Sequence, residues 1–376
     1  MSKAATYDVA IIGGGLAGLS CSILLARQGF RVALFEKELY PFHKVCGEYI
    51  SLESFDFLGS LGAHLSDKDI PMISKLLVSS PSGNTLSHEL PLGGFGISRY
   101  KIDHELAIIA KTSGVKIFEE TKVNDVQFTG DQFTVLPDGE PCSARIVFGA
   151  YGKRSNLDVK WKRRFTLRKA GVLNNVIAVK YHAVVDRARD LIELHNFDHG
   201  YCGISPVEEN KSCICYLTTA HNLRKSDNNI RKMEEGILFR NQFIKEAFDK
   251  STVLYEKPLA ISQISFDHKS QVQNHMLMLG DAAGMIAPLC GNGMSMALHS
   301  SRFAAPLVAK FLTGHLSRDA MEQEYCNRWN DAFKRRLRAG RMIQSLFGRA
   351  WITNGTVAVL RHFPGLLTRI IRQTHG

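Results

Sequence analysis

The chain has 376 residues, 45% of them hydrophobic and 22% charged, with a formal net charge of +11. That length and balance fit two packed domains around a large core, and they exclude a disordered or fibrous chain. The basic residues have no recognisable nucleic-acid module around them, so no nucleic-acid partner is expected. The eight cysteines form no CxxC pair and read as buried thiols.

In chain order, Tyr7 to Ile12 predicts a buried parallel strand, apolar almost throughout. It runs into Gly13-Gly14-Gly15-Leu16-Ala17-Gly18, and a helix is expected from Leu16 to Gln28, stopped by Gly29. Arg31 to Glu36 predicts the second strand, closing a β-α-β unit of about 30 residues. Gly13 permits a tight turn, Gly15 lets the backbone approach a pyrophosphate, and Gly18 lets helix and strand pack closely. The helix N-terminus attracts the phosphate charge. Glu36, about 20 residues on, is placed to accept from ribose hydroxyls, which disfavours a 2′-phosphate. Leu16, Ala17 and Lys37 are counted with this site.

Ser98 to Lys111 predicts a helix, Val115 to Phe118 a short strand, and alternating runs follow through Val135. Ala144 to Ala150 is a further strand, ending at Tyr151-Gly152. Residues 159–269 hold strand-like runs, with Cys213 and Cys215 on one face of a strand, and a charged helix near 229–249. Then Met276 to Leu279, an apolar strand, delivers Asp281 just after Gly280. A carboxylate there can accept from a ribityl hydroxyl. Pro288 to Met294, with Gly291, Asn292 and Gly293, leads into a helix whose N-terminus would aim its amides at a flavin pyrimidine edge. The two glycine motifs together predict one FAD held at both ends.

The expected fold is α/β. A Rossmann-like FAD-binding domain (1–70, 99–158 and 270–315) is interrupted by a β-rich substrate domain (71–98 and 159–269) and followed by a helical C-terminal segment (316–376). From Arg318 onward there are 11 Lys+Arg against 4 Asp+Glu, interleaved with Leu346, Phe347, Trp351, Ile352, Leu360, Phe363, Leu366, Leu367, Ile370 and Ile371. This tail reads either as helices packed on the body with solvated Arg and Lys outside, or as a basic, apolar surface for an anionic membrane. Arg361 and Pro364 interrupt the best candidate for a membrane span. With the cofactor turn already at Gly13, no cleaved leader is expected and a cytoplasmic location is.

The chain resembles the geranylgeranyl-reductase-like flavoproteins, within the larger p-hydroxybenzoate-hydroxylase-like superfamily, over roughly residues 5 to 345. Gly13, Gly15, Gly18 and Glu36 match the ADP-binding turn of that family. Lys44-Val45-Cys46-Gly47-Glu48 matches the segment lying over the flavin, and Ser98-Arg99 with Asp103 matches the helix start that approaches the FAD phosphates or ribityl chain. Val123 matches a position whose backbone meets the adenine, and Gly280-Asp281 with Pro288 to Met294 matches the flavin-side motif. There are two departures. Tyr151-Gly152 stands where the hydroxylases carry Asp-Gly, which puts direct NADPH use in doubt. Tyr201-Cys202-Gly203-Ile204-Ser205-Pro206 stands where the reductases carry Tyr-x-Trp-x-Phe-Pro, and loss of two rings should widen the substrate pocket.

The resemblance implies an FAD-dependent oxidoreductase reduced transiently by NADH or NADPH, acting on a hydrophobic or aromatic small molecule. The expected activity is monooxygenation through a flavin hydroperoxide, and the alternative is reduction of a carbon–carbon double bond. Halogenation is a minor alternative, because Trp161, Trp329 and Trp351 are isolated and the tryptophan-rich motif is absent. A non-catalytic escort protein is another, opposed by the intact glycines and Asp281. Cys46 and Tyr201 are the candidate catalytic residues. His43 and Glu48 flank Cys46 and read as surface or ribose-side groups, while His195 and His199 read as structural.

Overall fold

The computed structural model describes residues 5–167, 175–346 and 350–375. β1 (Ala5–Ile12), α1 (Leu16–Ala26) and β2 (Val32–Phe35) form the opening β-α-β unit. β1 is buried continuously from Val9 to Ile12, so its apolar run answers to burial on both faces. The chain then leaves for a second sheet through β3 (Tyr49–Ser51), β4 (Met72–Ser79) and β5 (Thr85–Gly96). It returns by α2 (Arg99–Thr112), β6 (Lys116–Phe118), the antiparallel pair β7 (Val123–Thr129) and β8 (Gln132–Pro137), and β9 (Cys142–Gly149). Ser98, the expected start of α2, is its cap, and its hydroxyl accepts from Lys101 N at 3.2 Å.

β10 (Val176–Val184), β11 (Leu191–Phe197), β12 (Gly200–Pro206), β13 (Ser212–Thr219), β14 (Thr252–Val253) and β15 (Leu259–Ile264) complete the second sheet. Within that stretch the charged helix expected near 229–249 is two helices, α3 (Ile230–Gly236) and α4 (Gln242–Asp249). Gly236 ends the first and a tight turn at Leu238–Arg240 follows. Asn241 then caps the second by accepting from Phe243 N, while its amide donates to Ser79 Oγ, Ser80 O and Asn196 O. A buried Asn tied to the sheet outcompetes a continuous helix here.

The first sheet runs β16 (Val272–Gln273)–β17 (Met276–Met278)–β9–β1–β2–β6, with β8 carrying β7 beside β9. From β17 to β6 every pairing is parallel. The second runs β14–β10–β13–β12–β11–β4–β5–β3, with β15 also on β10, and is antiparallel except at β11–β4. β3 therefore lies in the second sheet although it falls within 1–70. α5 (Gly293–Leu312) and α6 (Arg318–Leu346) share one core with α1, α2 and the first sheet.

The second sheet has two different faces. Ile177, Val179, Tyr181, Cys202, Ile204, Ile214 and Tyr216 pack under α3 and α4. Strand alternation turns their neighbours the other way, toward the first-sheet half. α7 (Ala350–His362) and α8 (Pro364–His375) cover β4 and β5 through Val357, Leu367 and Ile371. Phe347 lies outside the described residues. No helix among the described residues is long and apolar enough to cross a membrane.

Candidate functional site

At the end of β1, Gly13 has φ +106°, and a Cβ there would lie 2.5 Å from Ala150 O. A Cβ on Gly18 would strike Gly13 O at 2.0 Å, so the helix can approach the strand only without one. Gly15 is different. A Cβ there would meet only two cationic tips, Arg99 Nη2 at 3.3 Å and Lys44 Nζ at 3.7 Å. α1 has no side-chain cap and no acid in its first turn, and Leu16 and Ala17 open it with their amides. Uncapped backbone donors under two cations would suit a diphosphate, so the residues present fit the FAD implied by the fold.

Arg99 grips Asp103 with two bonds of 2.8 and 2.7 Å, and Lys44 adds a third at 2.9 Å. Burial would raise the Asp103 carboxyl, but Arg99 and Lys44 hold it below its ordinary value. Glu36 is 6% exposed and accepts from Gly14 N at 2.8 Å and from Glu38 N at 3.2 Å, which places an acid at the turn. Lys37 points to solvent beside Glu38. Val123 starts β7, is buried, and accepts from Asn156 Nδ2 at 3.4 Å.

The flavin-side motif lies across the same space. Gly280 has φ +56° and is wedged between α1 and α5, since a Cβ would lie 3.4 Å from Ala17 and 3.2 Å from Ala297. Asp281 is half-buried, and its carbonyl accepts from Lys269 Nζ at 2.8 Å. Lys269 also donates to Lys153 O at 3.1 Å; burial depresses its amine to about 8. Pro288 is exposed, and Gly291 takes φ +65°. Asn292 is buried against Glu53 and Arg336. Gly293 begins α5, also without a side-chain cap or a first-turn acid, and Met294 is buried.

Tyr151 explains its departure from Asp-Gly. Its hydroxyl donates to Asp158 at 2.8 Å, and Arg163 joins Asp158 at 2.9 Å to Ala282 O at 3.1 Å. This ion pair clamps the Gly280 turn from below, and Asp158, wholly buried, is fully engaged.

Between the two halves, the inward face of the second sheet forms a floor. β10 contributes Val176, Ala178, Lys180 and His182; β13 contributes Cys213, Cys215 and Leu217; β12 contributes Tyr201, Gly203 and Ser205. One end is apolar: Val176, Ala178, Leu217, Ile264 and Phe266 meet Tyr201, Met285, Leu289 and Val45. The Tyr201 hydroxyl is buried without a hydrogen bond of good geometry, although the Leu289 backbone lies beside it. At Gly203 a Cβ would meet only ordinary contacts, Leu194 Cδ2 at 3.6 Å being the nearest.

The other end of the floor is charged, and it corrects the expectation for Glu48. That residue is wholly buried, because φ of +57° turns its side chain inward under the 44–48 segment. Its Oε1 accepts from Arg99 N at 2.8 Å and Lys180 Nζ at 2.5 Å, and its Oε2 from His182 Nε2. Burial works to raise the carboxyl, but Lys180 and His182 hold it below its ordinary value. An ionised carboxylate only accepts, so His182 Nε2 donates to it and, in the neutral ring, Nδ1 accepts from the Tyr255 hydroxyl at 2.6 Å. His43 then donates to the Tyr255 oxygen at 3.0 Å. Burial, with Lys180 and His182 nearby, depresses the His43 imidazole to about 4, so it is neutral at pH 7. Lys180 also donates to Lys44 O, and Cys213 Sγ to Cys46 O at 3.1 Å. Cys46 is half-buried and its sulfur accepts from Glu48 N at 3.5 Å; Gly47 is exposed.

Glu48, His182 and Cys213 offer three ligand atoms within 4.8 Å of one another. The Lys180 ammonium already neutralises that carboxylate and would repel a metal ion. His195 is buried between Ser79 and Glu193, each at 2.9 Å, and His199 is an exposed turn residue. Sequence reasoning missed Lys180, His182 and Tyr255. The available signal was a lysine and a histidine two residues apart in the apolar strand Val176–Val184.

Comparison with known proteins fits this geometry. A family model described as an FAD binding domain matches residues 6–330. The chain is 28% identical to conditioned medium factor receptor 1 of Dictyostelium discoideum, over 87% of this chain and 68% of that protein. It is 22% identical to digeranylgeranylglycerophospholipid reductase of Methanococcus vannielii, over 87% and 83%. Among solved structures, a flavin-dependent brominase superposes with a TM-score of 0.79 at 20% identity, covering 98% of this chain and 93% of that one. With the match spanning both glycine motifs and the floor between them, the chain belongs to the FAD binding domain family and is an FAD-dependent oxidoreductase.

Proposed function

We propose that the protein is a monooxygenase that hydroxylates a hydrophobic or aromatic small molecule. The observation that carries this reading is the floor: an apolar end, a charged end, and between them Gly203, where a Cβ would meet only ordinary contacts. Such a floor suits a hydrophobic or aromatic molecule whose apolar part lies on Val176, Leu217 and Ile264, since Lys180 and His182 are already engaged by Glu48. FAD, when bound, supplies the redox chemistry and the activation of oxygen. Lys44 and Arg99 would hold its diphosphate, Asp281 would accept from the ribityl chain, and the 44–48 segment would flank the ring. The buried Tyr201 hydroxyl is available to a substrate oxygen. The donor chain from His43 through Tyr255 and His182 to Glu48 gives protons a path between half-buried groups and the floor.

Reduction of a carbon–carbon double bond is the second reading, favoured by Cys46, half-buried beside the charged end. None of Trp161, Trp329 and Trp351 lies on the floor strands, so halogenation is not proposed. The test is reduction of the bound flavin by NADH and by NADPH, then turnover of candidate phenols and polyprenyl compounds with and without oxygen. Product that requires oxygen supports hydroxylation. Equal product under anaerobic conditions overturns it in favour of double-bond reduction.

A further inference from the structure

α7 and α8 bury one face and expose another. Inward, Thr353, Val357, Leu367 and Ile371 are buried, Asn354 accepts from Ser82 Oγ at 2.9 Å, and Thr368 pairs with His88 at 3.0 Å. Outward, Trp351 is 74% exposed, Val359 52%, Phe363 60% and Leu366 49%. Trp351, Gly355, Ala358, Val359 and His362 recur at helical spacing on the exposed side of α7, and Phe363 and Leu366 continue that run into α8. Exposed Arg361, Arg369 and Arg372 accompany it. After Asp331 the chain holds nine Lys+Arg and no Asp or Glu.

We infer that this face docks on an anionic lipid bilayer. Apolar and aromatic side chains beside arginines match the chemistry of a headgroup boundary, where rings sit among acyl chains and guanidinium groups meet phosphates. The charge argues against a second copy as the occupant, because two such faces would bring like charges together without acids between them. The position has a consequence. The inner side of α7 and α8 shares a cluster with Leu194, which also packs against the Tyr201 end of the floor. The Cys290 thiol, next to the flavin-side turn, interacts with Thr374 of α8. A docked chain therefore presents the apolar end of its floor near the membrane, and its substrate is a hydrophobic molecule dissolved there. Docking itself stands apart from the FAD reading; only the substrate class rests on it.

The experiment uses the full chain with vesicles of phosphatidylcholine alone or mixed with phosphatidylglycerol, read by co-sedimentation and tryptophan fluorescence. Trp351 is the exposed tryptophan; Trp329 is buried and Trp161 half-buried. The expected result is binding to the anionic vesicles with a blue-shifted emission that Trp351→Phe removes. Binding should weaken at high salt. Trp351→Ser with Phe363→Ser should lose roughly tenfold or more in partitioning. Arg361→Gln, Arg369→Gln and Arg372→Gln together should lose roughly a hundredfold. Both sets are exposed, so the far-ultraviolet spectrum and melting point should hold. Equal binding to neutral vesicles, binding untouched by these variants, or a wild-type dimer split by the aromatic variants would each overturn the inference. A colourless protein that still binds vesicles would sink the flavoenzyme reading and leave the docking face standing.

Discussion

The cluster over the glycine turn and the cluster beneath the 44–48 segment contain similar groups in opposite settings. In the first, Lys44 and Arg99 share Asp103 and stand over the bare backbone of Gly15. In the second, Lys180 and His182 share Glu48, and all three are buried. The same two residues join them. Lys44 gives its side chain to the first and its carbonyl to the second; Arg99 gives its guanidinium to the first and its backbone N–H to the second. The difference lies in what is left to bind. The first keeps uncapped amides and two cations sharing one acid, which would suit a diphosphate, while the second has spent its charges internally. Changes in the first should therefore move cofactor affinity, and changes in the second should move stability.

The largest expected effect is in the sealed cluster. Lys180→Met leaves Glu48 buried without its ammonium, and removing one partner of a buried pair costs about 3–5 kcal/mol. Denaturant titration measures it. Lys180→Met with Glu48→Leu should cost less than the sum of the single changes. Glu48 also sets an acid limit. Its folded carboxyl sits below the ordinary 4.5, so its contribution is complete above that pH and is lost as pH falls through the lower folded value. If Lys180→Met weakened FAD binding and left stability alone, the contrast between the clusters would fail.

Arg99→Gln comes next. Asp103 is buried but keeps Lys44, so the fold should lose less than the roughly 3–5 kcal/mol of a buried carboxylate left bare. FAD affinity should fall roughly ten- to a hundredfold, about 1.5–3 kcal/mol for a charge-assisted contact, as read by flavin fluorescence titration.

The two clusters also differ in how visible they were before folding. Gly13, Gly15, Gly18 and Glu36 sit at fixed spacing between two strands, and each has a local reason to be there. The β-α-β unit and the flavin-side motif followed from the same logic. The sealed cluster is assembled from a left-handed turn at Glu48, one strand at Lys180 and His182, and a loop at Tyr255, far apart in sequence. Only the register of β10 on β13, and the approach of the two halves, makes Glu48 a buried group rather than a surface one. The split of the 229–249 helix was hidden likewise, because Asn241 is tied to Ser79, Ser80 and Asn196 by tertiary contacts.

A third cation sharpens the comparison, because it is buried with carbonyl partners at hydrogen-bond distance. Lys269 donates to Lys153 O and Asp281 O, and burial lowers its amine from 10.5 to about 8. Between those values the unfolded chain holds more protons than the folded one. Stability should therefore rise as pH goes from 8 toward 10.5, by at most about 3 kcal/mol. Thermal melts across that range should show the rise, and Lys269→Met should remove it. A flat profile in the parent protein would mean that Lys269 titrates as though exposed.

The smallest effect on stability is expected at Gly203, in the floor that both clusters border. A Cβ there meets Leu194 Cδ2 at 3.6 Å and Cys215 O at 3.7 Å, ordinary contact distances, and Gly203 is not among the positive-φ glycines. Gly203→Ala should thus change stability by under about 1 kcal/mol, and in Gly203→Trp the indole would project from the strand toward the interdomain space. It would restore one of the two rings whose absence widens the pocket, so it should select against long or bulky substrates while small ones keep their turnover. The discriminating measurement is the ratio of kcat/KM for a short and a long homologue of one substrate. A drop in that ratio for the long homologue alone places Gly203 in the wall of the substrate site. An equal loss for both homologues would mean that the ring blocks the flavin face, and a loss of melting temperature that the floor is already filled by its own side chains.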